Sequence, residues 1–460
     1  MGIRSNHFLN NFFNNFSLIS FHDSIRISVI VYSVLAVIVL DTTLNQTPEL
    51  RLHLNASGLD VALFIICGII AIVGQFYIIQ YVRQKSSQIR KKVVYLSISY
   101  KIVSFVQYLI IAIFVFVLVE ITIFGQYLTT SLIIVTIVSY GLNIGLMIVF
   151  TEIFFSWYKS NRNSIVVLLY GLSFAAVVIA SAIFLTGSFY RFIEKPLYIS
   201  ADTQPPLMKS EPGSLLYQLA TMYHYSNIVS FLLKWIATVL LLYHYSKKMG
   251  RAKYWILISL PLVYFAGTYL DDFDVYQPRT ETEELYWDLY TSLNSTAGGI
   301  LFYIAFVVVS RPFHRNLAIK DYMVMSGLGF LLFFSAGQST LTNTLYPPFG
   351  LATMSLYGLS TYMILLGLYS SAVSVSQDNR LRGSIKRIAR KNSNLLGSIG
   401  TAQMEKEIQK TVNSMKIIVE EQEKEMEEQT GIEANLEEDE MKKYLEEVMQ
   451  EVGKAKKPST

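Results

Sequence analysis

Residues 128–155 read LTTSLIIVTIVSYGLNIGLMIVFTEIFF, an apolar run whose single charge, Glu152, stands near its end. About 20 such residues cross the hydrocarbon core of a bilayer as a helix. A soluble helix would carry a polar face for water, and this run has none. The segment is therefore read as a membrane span, and the rest of the chain is read from it.

Similar runs lie on both sides. Upstream are Ile25–Leu40, Val61–Val82 and Ile102–Val119, and downstream is Ile165–Thr186. Then follow Tyr223–Tyr245, Tyr254–Leu270, Leu289–Val309, Tyr322–Gln338 and Leu351–Val373. The first and ninth are short, and Arg26 can snorkel to extend the first. The expected fold is all-α: a polytopic transmembrane helical bundle of about ten spans. Composition agrees, with 52% hydrophobic and only 16% charged residues in 460, against about 25% charged in soluble domains. The 30 Tyr suit the lipid–water boundary.

Basic residues mark the cytoplasmic side, because translocating them is costly. Arg4 and Arg26 precede the first span, and Arg83, Lys85, Arg90, Lys91, Lys92 and Lys101 fill the second loop. Lys159, Arg162, Lys247, Lys248, Arg251, Lys253, Arg311, Arg315 and Lys320 fill the later loops on the same side. The alternate loops hold only Arg51, Arg191, Lys195, Lys209 and Arg279. Every second loop obeys the rule, which predicts an even number of spans and both termini in the cytoplasm. The chain divides into a cytoplasmic N-terminus (1–24), a transmembrane domain (25–373), a basic juxtamembrane helix (374–395) and an acidic helical tail (396–460). No cleavable signal peptide is expected, since no small-residue cleavage motif follows the first apolar run.

Three outer loops are long. Asp41–Asp60 carries glycosylation sequons at Asn45 and Asn55, and a third at Asn294 lies close to a span. Gly187–Met222 is Pro-rich in part and reads as irregular. Asp271–Asp288 is acidic, which suits either a cation-attracting mouth or a plain solvated loop. Residues 339–350, ending in Tyr346-Pro347-Pro348-Phe349-Gly350, read either as an outer loop or as a partly buried non-helical segment.

No phosphate-binding, dinucleotide-binding, zinc-protease or nucleophile-elbow motif is present, and the six His do not pair on facing spans. One cysteine, Cys67, makes neither a disulfide nor a metal site. An enzyme is not expected, and no cofactor, metal or nucleic acid is implied.

Lys234 is the exceptional residue, near the middle of Tyr223–Tyr245. A lysine at the bilayer centre costs about 2.5–3.5 kcal/mol on insertion scales and marks a candidate functional site. No carboxylate lies at matching depth. Asn143 and Tyr140, near the middle of the fourth span, are the candidate polar neighbours for ligand binding or coupling. The other reading is a lysine that snorkels, or meets carbonyls and water, without direct function. Gln75, Gln80 and Gln107 read as interhelical hydrogen-bond donors and acceptors.

After the last span, Arg380, Arg382, Lys386, Arg387, Arg390 and Lys391 flank Leu381, Ile385 and Ile388, a basic amphipathic pattern suited to anionic lipid. Ile408, Val412, Met415 and Val419 then make a short coiled-coil stripe, and Met441, Leu445, Val448 and Val452 a second apolar face. Such faces need covering, by self-association or by a cytoplasmic protein partner.

The segments Tyr346-Pro347-Pro348-Phe349-Gly350, Gly367-Leu368-Tyr369-Ser370-Ser371-Ala372, Ser374-Val375-Ser376-Gln377-Asp378 and Gly397-Ser398-Ile399-Gly400 resemble a group of multi-pass proteins from ammonia-oxidising archaea. The resemblance covers the last third of the chain and implies an archaeal cell membrane; it carries no activity. A last span running into a helical tail is similar to membrane sensor kinases, but the phospho-acceptor His region and ATP domain are missing. Two functions stand: a membrane sensor or adaptor acting through its tail, and a secondary transporter or channel using Lys234.

Overall fold

A computed structural model of the chain describes residues 23–46, 58–92, 94–160, 162, 164–193, 195–202, 213–243, 250–272, 280–310, 317–337, 341, 344–377, 399–410 and 413. The helices are α1 (Asp23–Gln46), α2 (Leu59–Lys92), α3 (Val94–Phe124), α4 (Thr129–Ser160), α5 (Ile165–Ile193), α6 (Leu215–Tyr243), α7 (Arg251–Asp272), α8 (Glu281–Ser310), α9 (Leu317–Ala336), α10 (Leu351–Ser355) and α11 (Tyr357–Gln377). Among the described residues, seven helices are long and apolar enough to cross a membrane: α2 to α6, α9, and the stretch Leu351–Ser374. Val29–Asn45 and Gly298–Val308 are shorter apolar stretches.

Lipid-facing and core helices differ in burial. In α3 only 33% of the most apolar window is buried, and Phe105 and Ile123 are 71% and 67% exposed. Such an apolar exterior suits hydrocarbon, not water. The window of Leu351–Ser374 is 100% buried and that of α9 is 78% buried. The last span is thus the central post, packed on α9, α4, α3 and α2. Its small residues explain the position, since they let backbones approach closely. A Cβ added at Gly329 would stand 2.9 Å from the Ile364 nitrogen, and one at Gly367 2.5 Å from the Tyr322 carbonyl oxygen.

Several loops expected from the charge pattern are helical. α2 and α3 extend through most of residues 83–101, separated only at residue 93. A helix longer than the hydrocarbon core simply projects its basic end into water. The supposed irregular loop Gly187–Met222 contains the end of α5 and the start of α6. Between them β2 (Tyr198–Ser200) pairs antiparallel with β1 (Gln126–Leu128), Tyr127 opposite Ile199. The bundle is therefore helical with one small ribbon, not strictly all-α. Likewise α7 and α8 take in both ends of Asp271–Asp288.

Of the two readings of residues 339–350, the buried one holds for residues 346–350, all of which are buried. Phe349 packs edge-on against Phe64 (5.5 Å) and Tyr346 stacks on Tyr127 (6.4 Å). The Tyr346–Pro347 bond is cis. Thr344 donates to Asn45 Oδ1 (3.1 Å), so this sequon asparagine is engaged within the fold. Asn55 lies outside the described residues.

Candidate functional site

A single turn residue in right-handed conformation, Leu356, separates α10 from α11. The first N–H groups of a helix have no intrahelical acceptor, and inside a bundle a protein group must supply one. Asp41 does so at the start of α10. Asp41 Oδ1 accepts from the Gly350 N–H (2.9 Å), and Asp41 Oδ2 accepts from the Thr353 N–H (2.9 Å) and hydroxyl (2.7 Å). Gln107 Nε2 donates to the Ser355 carbonyl (2.8 Å) and to Gln75 Oε1 (2.7 Å), and Gln75 Nε2 donates to Ser355 Oγ (2.5 Å). Gln75 and Gln107 are thus interhelical ties, joining α2, α3 and the last span. Asp41, placed by the charge pattern at the start of an outer loop, is a fully buried residue of α1.

The three residues singled out around Lys234 gather just below this turn. Asn143 Nδ2 donates to Ser181 (2.9 Å), and its oxygen accepts from Thr361 (2.7 Å). Tyr357 shares hydrogen bonds with Ser181 and Asn143, and Tyr140 with Tyr223. The Tyr140 ring lies 5.0 Å from that of Tyr357. Lys234 is 2% exposed, with Nζ 5.2 Å from the Phe333 ring centroid and 5.1 Å from that of Phe334. Phe333 stacks on Tyr357 (5.1 Å). Lys234 therefore meets Asn143 and Tyr140 through Phe333 and Tyr357, and no hydrogen bond joins them directly among the described residues. The reason is that both Asn143 groups are already engaged by closer partners on α5 and α11. Two aromatic faces offset part of the cost of burying the ammonium, about 2 kcal/mol where the cation is desolvated.

At the end of the bundle that carries the ribbon, Lys195 donates to the Thr344 carbonyl (3.2 Å) and lies 5.9 Å from the Phe192 ring centroid. Burial pulls its ammonium down to about 8. It fastens the ribbon to the segment before α10.

At the other end of the bundle, residues 399–410 form a helix docked on the bundle. Trp157 Nε1 on α4 donates to Gln403 Oε1 (3.0 Å), and the Trp157 ring stacks on Tyr369 of α11 (6.3 Å). Ile399 and Ala402 belong to the hydrophobic core. Ile408 is only 6% exposed. Val412, Met415 and Val419 lie outside the described residues, as do Arg380, Arg382, Lys386, Arg387, Arg390 and Lys391.

Among the described residues no cluster of three metal-ligating side chains occurs. No family model, curated protein or solved structure matches the chain.

Proposed function

We propose that the protein is a membrane sensor or adaptor of the cell membrane, with about ten spans and both termini in the cytoplasm. Its bundle couples to a cytoplasmic partner through the tail. The observation that carries this reading is the Trp157–Gln403 hydrogen bond. It ties the first turns of the tail to α4, the helix that also carries Tyr140 and Asn143, while Tyr369 ties Trp157 to α11. A change around Tyr357 at the turn has two rigid rods, α4 and α11, by which to reach residues 399–410. The tail beyond Ile408 is left to engage the partner. The test is recovery of a stoichiometric soluble partner from native-host membranes after mild crosslinking. The full-length chain should retain it and the chain truncated after Gln377 should lose it. Absence from both sinks the partner half of the reading.

The alternative is a secondary transporter or channel, favoured by the burial of Lys234, since an ionisable residue inside a span is a marker of a solute or ion pathway. Lys234→Met separates the two. As an apolar chain of similar length it keeps contact with Phe333 and Phe334. A sensor tolerates it with the tail still docked; a transporter loses ion or solute currents in proteoliposomes.

A further inference from the structure

The outer halves of α5 and α6 enclose a cavity of about 210 Å³, lined among others by Gly187, Ser188, Arg191, Leu219, Tyr223 and His224. The two helices are antiparallel neighbours, since Phe184 faces Tyr223 (5.3 Å) and Gly187 faces Leu219, while deeper Ser173 reaches the Ser230 carbonyl (2.9 Å). Side chains lean toward the N-terminus of their own helix. That tendency turns Arg191 inward along α5 and His224 outward along α6, and both line the cavity. Gly187 sits between them and leaves the room: a Cβ there would meet only Leu219, at 3.9 Å.

Depth and surroundings define what fits. Arg191 stands in the last turn of α5, at the end of the apolar stretch Ile165–Ile193, where lipid headgroups lie. Around the cavity Ile179, Phe189, Tyr190, Tyr217, Met222 and Tyr225 are exposed. Pockets for whole drug-sized molecules run to about 300–1,000 Å³. This one holds a headgroup only, and the remainder of its ligand must lie along the apolar helix faces outside. An arginine at headgroup depth meets a phosphate through charge-assisted, often bidentate hydrogen bonds.

We propose that the Arg191–His224 cavity between α5 and α6 binds the phosphate headgroup of an anionic phospholipid, with the acyl chains lying on the exposed faces of those helices. Arg191 supplies a permanent cation with several N–H donors, Ser188 and His224 supply further polar contacts, and Gly187 supplies space. The site stands apart from the sensor reading, because binding is measured at the headgroup and not through the tail.

The test is native mass spectrometry of the full-length protein in detergent, titrated with dioleoyl phosphatidylglycerol, with dioleoyl phosphatidylcholine, and with inorganic phosphate as competitor. The wild type should prefer phosphatidylglycerol at least about tenfold, the worth of one charge-assisted hydrogen bond. Arg191→Gln should abolish that preference, leaving phosphatidylcholine adducts unchanged. Gly187→Leu, which fills the cavity without touching the charge, should do the same and serves if Arg191→Gln misfolds. Equal binding of the two lipids by the wild type overturns the proposal, as does a preference that survives both variants. Displacement of phosphatidylglycerol by equimolar inorganic phosphate overturns the lipid assignment in favour of a soluble anion.

Discussion

Asp41→Asn tests the cap at the start of the last span. The change preserves shape and removes a charge, yet it cannot preserve the bonding. In the wild type both carboxylate oxygens accept, one from the Gly350 N–H and the other from the Thr353 N–H and hydroxyl. An asparagine has one oxygen, so its NH₂ must face a backbone N–H, donor against donor, in either orientation. An average interhelical hydrogen bond in a membrane protein is worth only about 0.6 kcal/mol, and three such bonds would make a small effect. Here a buried backbone donor is left without an acceptor, for which about 1–3 kcal/mol is the usual cost. The larger figure should win, because Gly350 and Thr353 are buried. The one cysteine of the chain, Cys67, provides the assay, since it is 3% exposed on α2 and close enough to Asp41 to interact electrostatically. The rate at which a maleimide dye labels Cys67 in detergent reports opening of this region. It should rise about tenfold or more in Asp41→Asn, given about 1.4 kcal/mol per decade. Gln107→Leu, which removes neutral bonds and with them a buried oxygen lacking a partner among the described residues, should change it by less than about tenfold. Labelling of Asp41→Asn at the wild-type rate refutes the account of the start of α10 as a turn capped by Asp41.

Other perturbations address the tail, the cap and the central post. Trp157→Phe keeps a ring against Tyr369 but loses the bond to Gln403; at about 1 kcal/mol, opening of residues 399–410 should rise about fivefold in hydrogen exchange. Lys195 binds its proton less tightly folded than unfolded, so the unfolded chain holds more protons between about pH 8 and the ordinary lysine value. Stability of the outer end should therefore rise as pH is raised through that window and level off below pH 8. The rise should be absent in Lys195→Met, as read by Cys67 labelling over pH 7.5–10. Gly367→Ala forces a methyl against the Tyr322 carbonyl and Ser326 on α9. It should cost more than about 1–3 kcal/mol, the usual cost of overpacking, because backbone must move. Expression as folded protein, judged by gel filtration, should fall sharply.

The helical rods were legible because a bilayer demands long apolar runs, and the run at 128–155 shows this without any tertiary information. Lys234 was legible for the same reason: a charge in such a run stands out. Asp41 was not. A carboxylate at the end of an apolar run looks like the start of a loop, and its donors, Gly350 and Thr353, lie some three hundred residues away in the chain. The turn itself left no Pro or Gly at Leu356 to announce it. Nothing in the spacing of Ile408, Val412, Met415 and Val419 says whether the cover of such a stripe is another protein or the chain itself; Ile408 is buried, and the other three lie outside the described residues.

The position of Lys234 bears on the choice between the two functions. A transport site must exchange its occupant with water on each side in turn, so its polar groups need partners that can be given up. The groups nearest Lys234 are instead committed. Asn143 is engaged at both ends, by Ser181 and Thr361, and Tyr357 is held by its own bonds and by stacking on Phe333. The Thr361–Asn143 bond also fastens α11 to α4, the two helices that converge on Trp157. A lysine held against two phenyl rings of α9 at the edge of such a cluster is poorly placed to hand a solute through it. Thr361→Val, which removes the fastening and leaves Lys234 untouched, should therefore loosen residues 399–410 in hydrogen exchange by a few-fold, about 0.6 kcal/mol at the membrane average. If it leaves the tail unchanged while Lys234→Met abolishes currents, the transporter reading replaces the sensor.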